Sequence, residues 1–417
     1  MRVLHISSAS ETDGAGKACL LTHKALKAKG IDSNILFLKT RINDKSIFSF
    51  HSFNKVTRLK RFLFTHLDQL ILLFYPFRNK KVLFSPGKFG HKLSKISLIK
   101  KYDILHVHWP CHGFIDLLDL KNIKVPIIWT MRDMWTFTGG CHYAIDCKKF
   151  IRGCGNCPQL GSNSSNDISR TSNHVKRHAF NDHNIILTTI SSWMKKEALK
   201  SNILKSKKIA VIPSSIDPNE FMFLSQEKSK LKLNIPPTRK LIVLGAGNIK
   251  DKYKGYEYTL ELLKNLEKDK FIIATFGNGA IEPNDIDLDV MNFGYQDAKF
   301  INLLFSAGDI FISSSISEAL GKTNIESQFS GCPVLAFEGT GAADIIVHKE
   351  TGYLAKHSNH RDFLNGFNFI LDSNLDRENI SISTQRKFDI YNTIESYIQI
   401  YEKNYLDGSH CSRPQSI

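Results

Sequence analysis

The sequence predicts an α/β protein of two doubly wound domains, each a parallel sheet covered by helices. Three observations carry this expectation. Short apolar runs alternate with helical stretches through the first 213 residues, a polar Pro-bearing stretch follows, and the same alternation then starts again. A chain of 417 residues, at roughly 100–200 per domain, has room for two such cores. With 42% hydrophobic and 23% charged residues it is an ordinary folded chain, which excludes disordered, collagenous and polytopic membrane classes.

Arg2 to Ser7 reads as a strand that ends in a polar Gly-bearing loop, and Gly16 to Lys29 continues with helical periodicity. Further strands are expected at Asn34 to Leu38, Asp103 to Trp109, Pro126 to Met131, Ile185 to Ile190 and Lys208 to Pro213, completing a Rossmann-like domain over 1–213. Residues 214–238, with Pro236-Pro237, read as a linker carrying some helix. A second set of buried strands at Leu241 to Ala246, Phe271 to Phe276, Asp309 to Ser313 and Pro333 to Phe337 builds a second Rossmann-like domain over 239–383. An amphipathic helix at about 384–405 is expected to return to the first domain, followed by a frayed tail over 406–417.

The net charge of +16 favours anionic partners. Residues 54–101 hold twelve Lys and Arg against Asp68 alone, so this segment carries +11 of that charge. Within it, Phe62 to Phe77 is apolar and aromatic, but too short and too interrupted to cross a bilayer that needs about 20 apolar residues. Basic flanks around an apolar helix are the pattern of an interfacial segment on anionic lipid. The alternative is a helix whose apolar face packs on its own domain while its cations stay solvated. Nucleic acid is not expected, because the aromatics cluster instead of interleaving with the cations. The N-terminus MRVLHISSAS lacks the features of a secretory signal, so a cytoplasmic chain, peripheral on the inner face of the cell membrane, is expected.

Four sites of chemistry follow from residue types and spacing. Gly14-Ala15-Gly16-Lys17 joins a strand to a helix, where glycines admit a ligand closely and the helix N-terminus favours an anion; an ordinary tight turn has the same sequence. Glu318 and Glu326 stand eight residues apart across a short turn and the start of a helix, so they can address two parts of one hydroxyl-rich ligand. Cys141, Cys147, Cys154 and Cys157 end in a Cys-x2-Cys knuckle, which suits structural zinc; four reduced thiols or two disulfides are the alternatives. Asp285, Asp287 and Asp289 invite comparison with a carboxylate metal motif but fall in a polar connection, and are not expected to bind metal.

The stretch from Ser313 to Leu354, with Glu318-x7-Glu326, Gly331-Cys332-Pro333-Val334 and Thr351-Gly352-Tyr353-Leu354, resembles retaining glycosyltransferases of family 4 and GT-B fold, two Rossmann-like domains facing across a cleft. The resemblance implies that Glu318 lies at the donor sugar and Glu326 at the nucleotide ribose. It implies a diphosphate contact for Lys254, which follows Gly245 at the end of the second domain's first strand, and places Asn248 where an Arg is usual. Backbone around Gly321, Lys322, Thr323 and Asn324 would complete donor binding. Thr130-Met131-Arg132-Asp133-Met134-Trp135, running on to Thr138-Gly139-Gly140-Cys141-His142-Tyr143, resembles the bacterial O-antigen and colanic-acid subgroup, with Arg132 in place of a His near the donor sugar.

The resemblance therefore implies transfer of a sugar from a UDP- or GDP-sugar to a hydroxyl of a lipid-linked glycan in cell-surface polysaccharide assembly, with no cofactor needed for catalysis. Arg132, Asp133, His142 and the Gly14 to Gly16 loop would serve the first domain, with His142 positioning substrate. A GT-B epimerase or phosphorylase, and a non-catalytic glycan- or nucleic-acid-binding protein, are the rival readings.

Overall fold

The computed structural model describes residues 1–50, 55–181, 184–248, 250–279, 281 and 285–411. The chain divides into two units, Met1–Pro213 with the segment from Thr393 onward, and Ser214–Asn392. The first is a seven-stranded sheet of β1 (Arg2–Ser7), β2 (Asp32–Phe37), β3 (Ile47–Ser49), β4 (Ile104–Trp109), β5 (Ile127–Met131), β6 (Ile185–Thr189) and β7 (Ile209–Val211), in the order 3-2-1-4-5-6-7. Every pairing is parallel. Both faces are covered, so β4 and β5 are buried almost end to end, and β4 takes His106 and His108 inside along with its apolar residues. The helices of this unit are α1 (Gly14–Ala28), α2 (Lys55–Leu70), α3 (Ile168–Ala179) and α4 (Ser192–Lys200).

The second unit holds a six-stranded parallel sheet of β8 (Lys240–Asn248), β9 (Phe271–Asn278), β10 (Asp289–Asn292), β11 (Ile310–Ser313), β12 (Val334–Phe337) and β13 (Gly352–Ala355), in the order 10-9-8-11-12-13. Its helices are α5 (Gln226–Lys232), α6 (Tyr256–Leu263), α7 (Ala298–Ala307), α8 (Lys322–Phe329), α9 (His360–Asp372) and α10 (Arg377–Phe388). Ile242, Leu244, Ile273, Ile312 and Phe337 pack with Leu262, Leu263, Phe363 and Phe367 of α6 and α9 into one core. Burial of each such side chain stabilises by about 1.5–3 kcal/mol.

The single helix expected over 384–405 is instead two. Asp389 is extended, and it pairs with Ile216: the Ile216 amide donates to the Phe388 carbonyl at 2.9 Å and the Ile390 amide to the Ile216 carbonyl at 3.1 Å. That bridge takes backbone groups a continuous helix would use, so α10 stops at Phe388 and α11 (Ile390–Cys411) begins beyond it. The expected frayed tail is helical through Cys411, and residues 412–417 lie outside those described. From Thr393 on, α11 belongs to the first unit, where buried Tyr401 places its hydroxyl 2.6 Å from His106 Nδ1 and Tyr397 its hydroxyl 3.2 Å from Thr130 Oγ1.

Candidate active site

In a doubly wound sheet, ligands collect at the C-terminal ends of the strands where the winding direction reverses. In the second unit that point lies between β8 and β11. A small pocket sits there, lined by Leu244 and Gly245 of β8, Ile312 to Ser315 at the end of β11, and Lys254, Tyr256, Thr259 and Thr323. The β8–α6 connection brings in Lys254, whose Nζ meets Glu318 Oε2 at 2.6 Å. Ser314 holds this loop by donating to the Lys254 carbonyl at 2.9 Å, and the Ile316 amide donates to Tyr253 at 2.9 Å. Lys254 and Glu318 are 64 residues apart in sequence; the fold joins them.

Gly321, with φ of +88°, turns the chain into α8; a side chain there would be strained and would press on Asn324 and Glu318. The first amides of α8, from Lys322, Thr323 and Asn324, carry the partial positive charge of a helix start. Asn324 is fully buried beside Gly321, and neither its side-chain oxygen nor its nitrogen has a hydrogen-bond partner. A buried amide left so costs about 1–3 kcal/mol, which a polar ligand group at this point would relieve. Glu326 pairs with Lys322 at 3.3 Å one turn along α8. Asn248 is exposed and its side-chain oxygen accepts the Lys250 amide at 3.0 Å, so it shapes the turn after β8.

In the first unit the reversal lies between β1 and β4, where the Gly14–Ala15–Gly16 stretch opens α1. Gly16 is required by close approach, since a Cβ there would lie 1.7 Å from the Ser10 carbonyl oxygen. Asp133 follows β5 and is held from three sides. Its Oδ2 accepts from Trp109 Nε1 at 2.8 Å and faces His142 Nδ1 at 2.6 Å, and its Oδ1 accepts the Trp135 amide at 2.8 Å. Burial pushes this carboxyl up, but His142 and the hydrogen bonds from His142, Trp109 and Trp135 outweigh it and hold it below the usual range.

His142 Nε2 in turn meets Ser85 Oγ at 2.9 Å, which completes a Ser–His–Asp chain that spacing did not reveal. Ser85 is fully buried, so the chain is an orienting device for Asp133 and not a nucleophile relay. Buried Lys176 fastens the same segment, with Nζ donating to the carbonyls of Trp135 and Thr138 at 2.5 and 3.1 Å and lying 3.7 Å from the Trp135 ring centroid; burial pulls its pKa down to about 8.

Arg132 points into a set of buried histidines. Its Nη2 donates to His108 Nδ1 at 2.8 Å. Because a guanidinium only donates, neutral His108 carries its proton on Nε2 and passes a hydrogen bond to His5 Nδ1 at 2.9 Å, leaving the His5 Nε2 proton buried without an acceptor. Burial, above all, holds His5, His106 and His108 well below the usual histidine pKa. His5, Cys19 and His108 bring ligand-type atoms within 4.8 Å of one another, but Arg132 already supplies the cation of that cluster.

Cys141, Cys147, Cys154 and Cys157 line one cavity with Phe84, Gly139 and Phe150, all as free thiols. Zinc thiolates at about 2.3 Å from the metal hold their sulfurs roughly 3.8 Å apart. Among the described residues no three of these sulfurs come within 4.8 Å of one another, so the thiols as placed do not fit tetrahedral zinc. Asp287 pairs with Lys268 at 2.8 Å and Asp289, which opens β10, with Arg239 at 2.6 Å; Asp285 Oδ2 accepts from the Tyr256 hydroxyl at 3.5 Å. The three carboxylates thus have separate partners.

Residues 225–387 match the family described as Glycosyl transferases group 1. An uncharacterized 41.2 kDa protein in the cps region of Klebsiella pneumoniae is 24% identical over 352 residues, covering 78% of this chain and 87% of its own. Sucrose-phosphate synthase from Thermosynechococcus elongatus superposes with a TM-score of 0.65 at 16% identity, over 98% of this chain and 100% of that one. Anabaena HepE in complex with UDP and glucose gives 0.63 at 12% identity, over 97% and 100%. The two parallel-sheet units therefore make up a GT-B fold, and residues 225–387 carry the match to the group 1 glycosyl transferases.

Proposed function

We propose that this chain transfers a sugar from a nucleotide diphosphate to a hydroxyl of a lipid-linked glycan in cell-surface polysaccharide assembly, with retention at the anomeric carbon. The observation that carries the reading is the pocket at the β8–β11 reversal, where Lys254, paired with Glu318, and Thr323 at the start of α8 line one recess. The uridine nucleotide bound in HepE and the cps-region relative support a UDP-sugar and a polysaccharide product.

In this reading Lys254 and the α8 amides take the diphosphate, Glu318 the sugar hydroxyls and Glu326 the ribose. The acceptor oxygen attacks the anomeric carbon on the face the diphosphate leaves. The carbon–oxygen bond to phosphate breaks as the new glycosidic bond forms, and the acceptor proton passes to the departing phosphate oxygen. No protein base is needed, which agrees with both ring nitrogens of His142 being engaged inside the protein. Arg132 and Asp133 are assigned to substrate positioning. The test is incubation with labelled UDP- and GDP-sugars: one donor should yield a product whose anomeric configuration by NMR matches the donor. Failure of every nucleotide to raise the unfolding temperature would sink the reading, and an altered nucleotide sugar formed without acceptor would favour an epimerase.

The membrane part of the reading rests on α2 and the turn after it. Leu59, Phe62, Leu70, Leu73, Phe74 and Phe77 stand exposed, the last two at 84% and 85%, while Asp68 and Leu72 face inward. No helix among the described residues is long and apolar enough to cross a membrane. An exposed apolar stripe in a basic segment fits the surface of an anionic bilayer. The chain should float with anionic vesicles at least tenfold more than with neutral ones, and Phe74→Ser with Phe77→Ser should abolish the difference; equal flotation with both lipids would remove this part.

A further inference from the structure

We propose that a recess beside α2 in the first unit binds a lipid diphosphate, its head on Lys88, Lys92 and Lys95 and its chain along an apolar floor. The recess measures about 910 Å³, at the upper end of the roughly 300–1,000 Å³ of small-ligand sites. Leu63, Phe64, Phe89, Ile96 and Leu98 give it hydrocarbon and aromatic surface. The three lysines are exposed on its rim, and among the described residues none of their ammonium groups has an ion-pair partner. Asp116 is the one carboxylate in the lining, and its Oδ1 already accepts the Leu118 amide at 3.0 Å. Three cations against one carboxylate leave a surplus of two positive charges. A diphosphate diester brings two negative charges to match, whereas a glycerophosphodiester brings one.

The recess is held in shape by the chain itself. Asp68 of α2, fully buried, accepts the amides of Gly87, Lys88 and Phe89 at 3.3, 2.9 and 3.4 Å, fixing the lysine-bearing segment against the helix. The His91 amide donates to Phe114 at 3.1 Å and the Asp116 amide to His91 at 3.0 Å, and the His91 ring sits 4.8 Å from Phe50 and 4.9 Å from Phe64. A site ordered before binding loses less entropy when the ligand enters. Leu63 and Phe64 line the recess from the same helix that carries exposed Leu59 and Phe62, and Leu63 is itself exposed. The assignment deepens the acceptor reading above and rests on it only for the glycan that the diphosphate would carry.

Calorimetry on the full chain separates the alternatives, using farnesyl diphosphate, farnesol, inorganic pyrophosphate and short-chain phosphatidylglycerol as probes, with UDP titrated in parallel. Farnesyl diphosphate should bind at least tenfold tighter than the other three. The combined Lys88→Glu, Lys92→Glu and Lys95→Glu variant should lose tenfold or more, with its thermal midpoint and UDP binding unchanged. Equal affinity for pyrophosphate or for phosphatidylglycerol, or indifference to the charge reversal, overturns the proposal. UDP binding without farnesyl diphosphate binding removes this site and leaves the donor reading intact; the converse result leaves this site and removes the transferase reading.

Discussion

Replacing Lys254 by Ala is expected to lower kcat/KM for sugar transfer by about 10²–10³-fold, the loss typical when one group that stabilises developing charge is removed. The reason is visible in the pair it forms. Lys254 reaches Glu318 at 2.6 Å with both side chains largely covered, so in the proposed mechanism the substitution removes a cation from the diphosphate and also leaves a carboxylate without its partner beside an incoming anion. Glu318→Gln removes the repulsion but also the contact to sugar hydroxyls, and should cost less. If the two act as one unit, the double variant should be no slower than Lys254→Ala alone, since effects within a unit do not add. Steady-state kinetics on the four proteins checks this. A Lys254→Ala enzyme within threefold of the parent, with a normal melting temperature, would remove Lys254 from the chemistry.

The same pair shows what the sequence could carry. The central strands of both sheets were legible because they are buried on both faces and appear as apolar runs; β4, expected at Asp103 to Trp109, lies at Ile104–Trp109. The strands β3, β10 and β13 carry no such signal. Each has only three or four residues, too few for a periodic run to stand out, and lies at a sheet edge with a single pairing neighbour. The Glu318 turn and the Lys254 loop were each legible locally, yet their union depends on β8 and β11 being neighbours, which spacing alone does not give. Asp133 and His142 were legible in one motif. Ser85, Trp109 and His108, which fix Asp133 and Arg132, stand 24 to 57 residues from the groups they hold and carry no sequence signal of their own.

Acidification from pH 7.5 to pH 5.5 is expected to remove about 4 kcal/mol of the first unit's stability, through the buried histidines and not through its carboxylates. His5, His106 and His108 stand fully buried with pKa values well below the ordinary 6.5, and His23, facing Lys24, Lys27 and Asp44, is pulled by burial to about 4. The other charged group facing the first three is Arg132, which lowers them further. The unfolded chain therefore binds protons first, and stability is complete above pH 6.5 and lost as pH falls toward the folded-state values. Each histidine contributes about 1.4 kcal/mol per pH unit once below 6.5, so the three fully buried rings together give a slope of roughly 4 kcal/mol per unit, against a total stability of about 5–15 kcal/mol. Protonation also removes an acceptor from His108, which must take the Arg132 hydrogen bond, and from His106, whose ring joins Thr130 at 2.7 Å to Tyr401 at 2.6 Å. Loss of the latter should release α11, so opening of the C-terminal helix is expected to accompany the transition. All four tryptophans, Trp109, Trp129, Trp135 and Trp193, lie in this unit, so tryptophan fluorescence, excited selectively over tyrosine, follows it alone during urea unfolding. The urea midpoint should fall steeply between pH 6.5 and 5.5, and His106→Gln should reduce the slope by about one proton; a midpoint flat across that interval would mean that these rings do not set the acid limit.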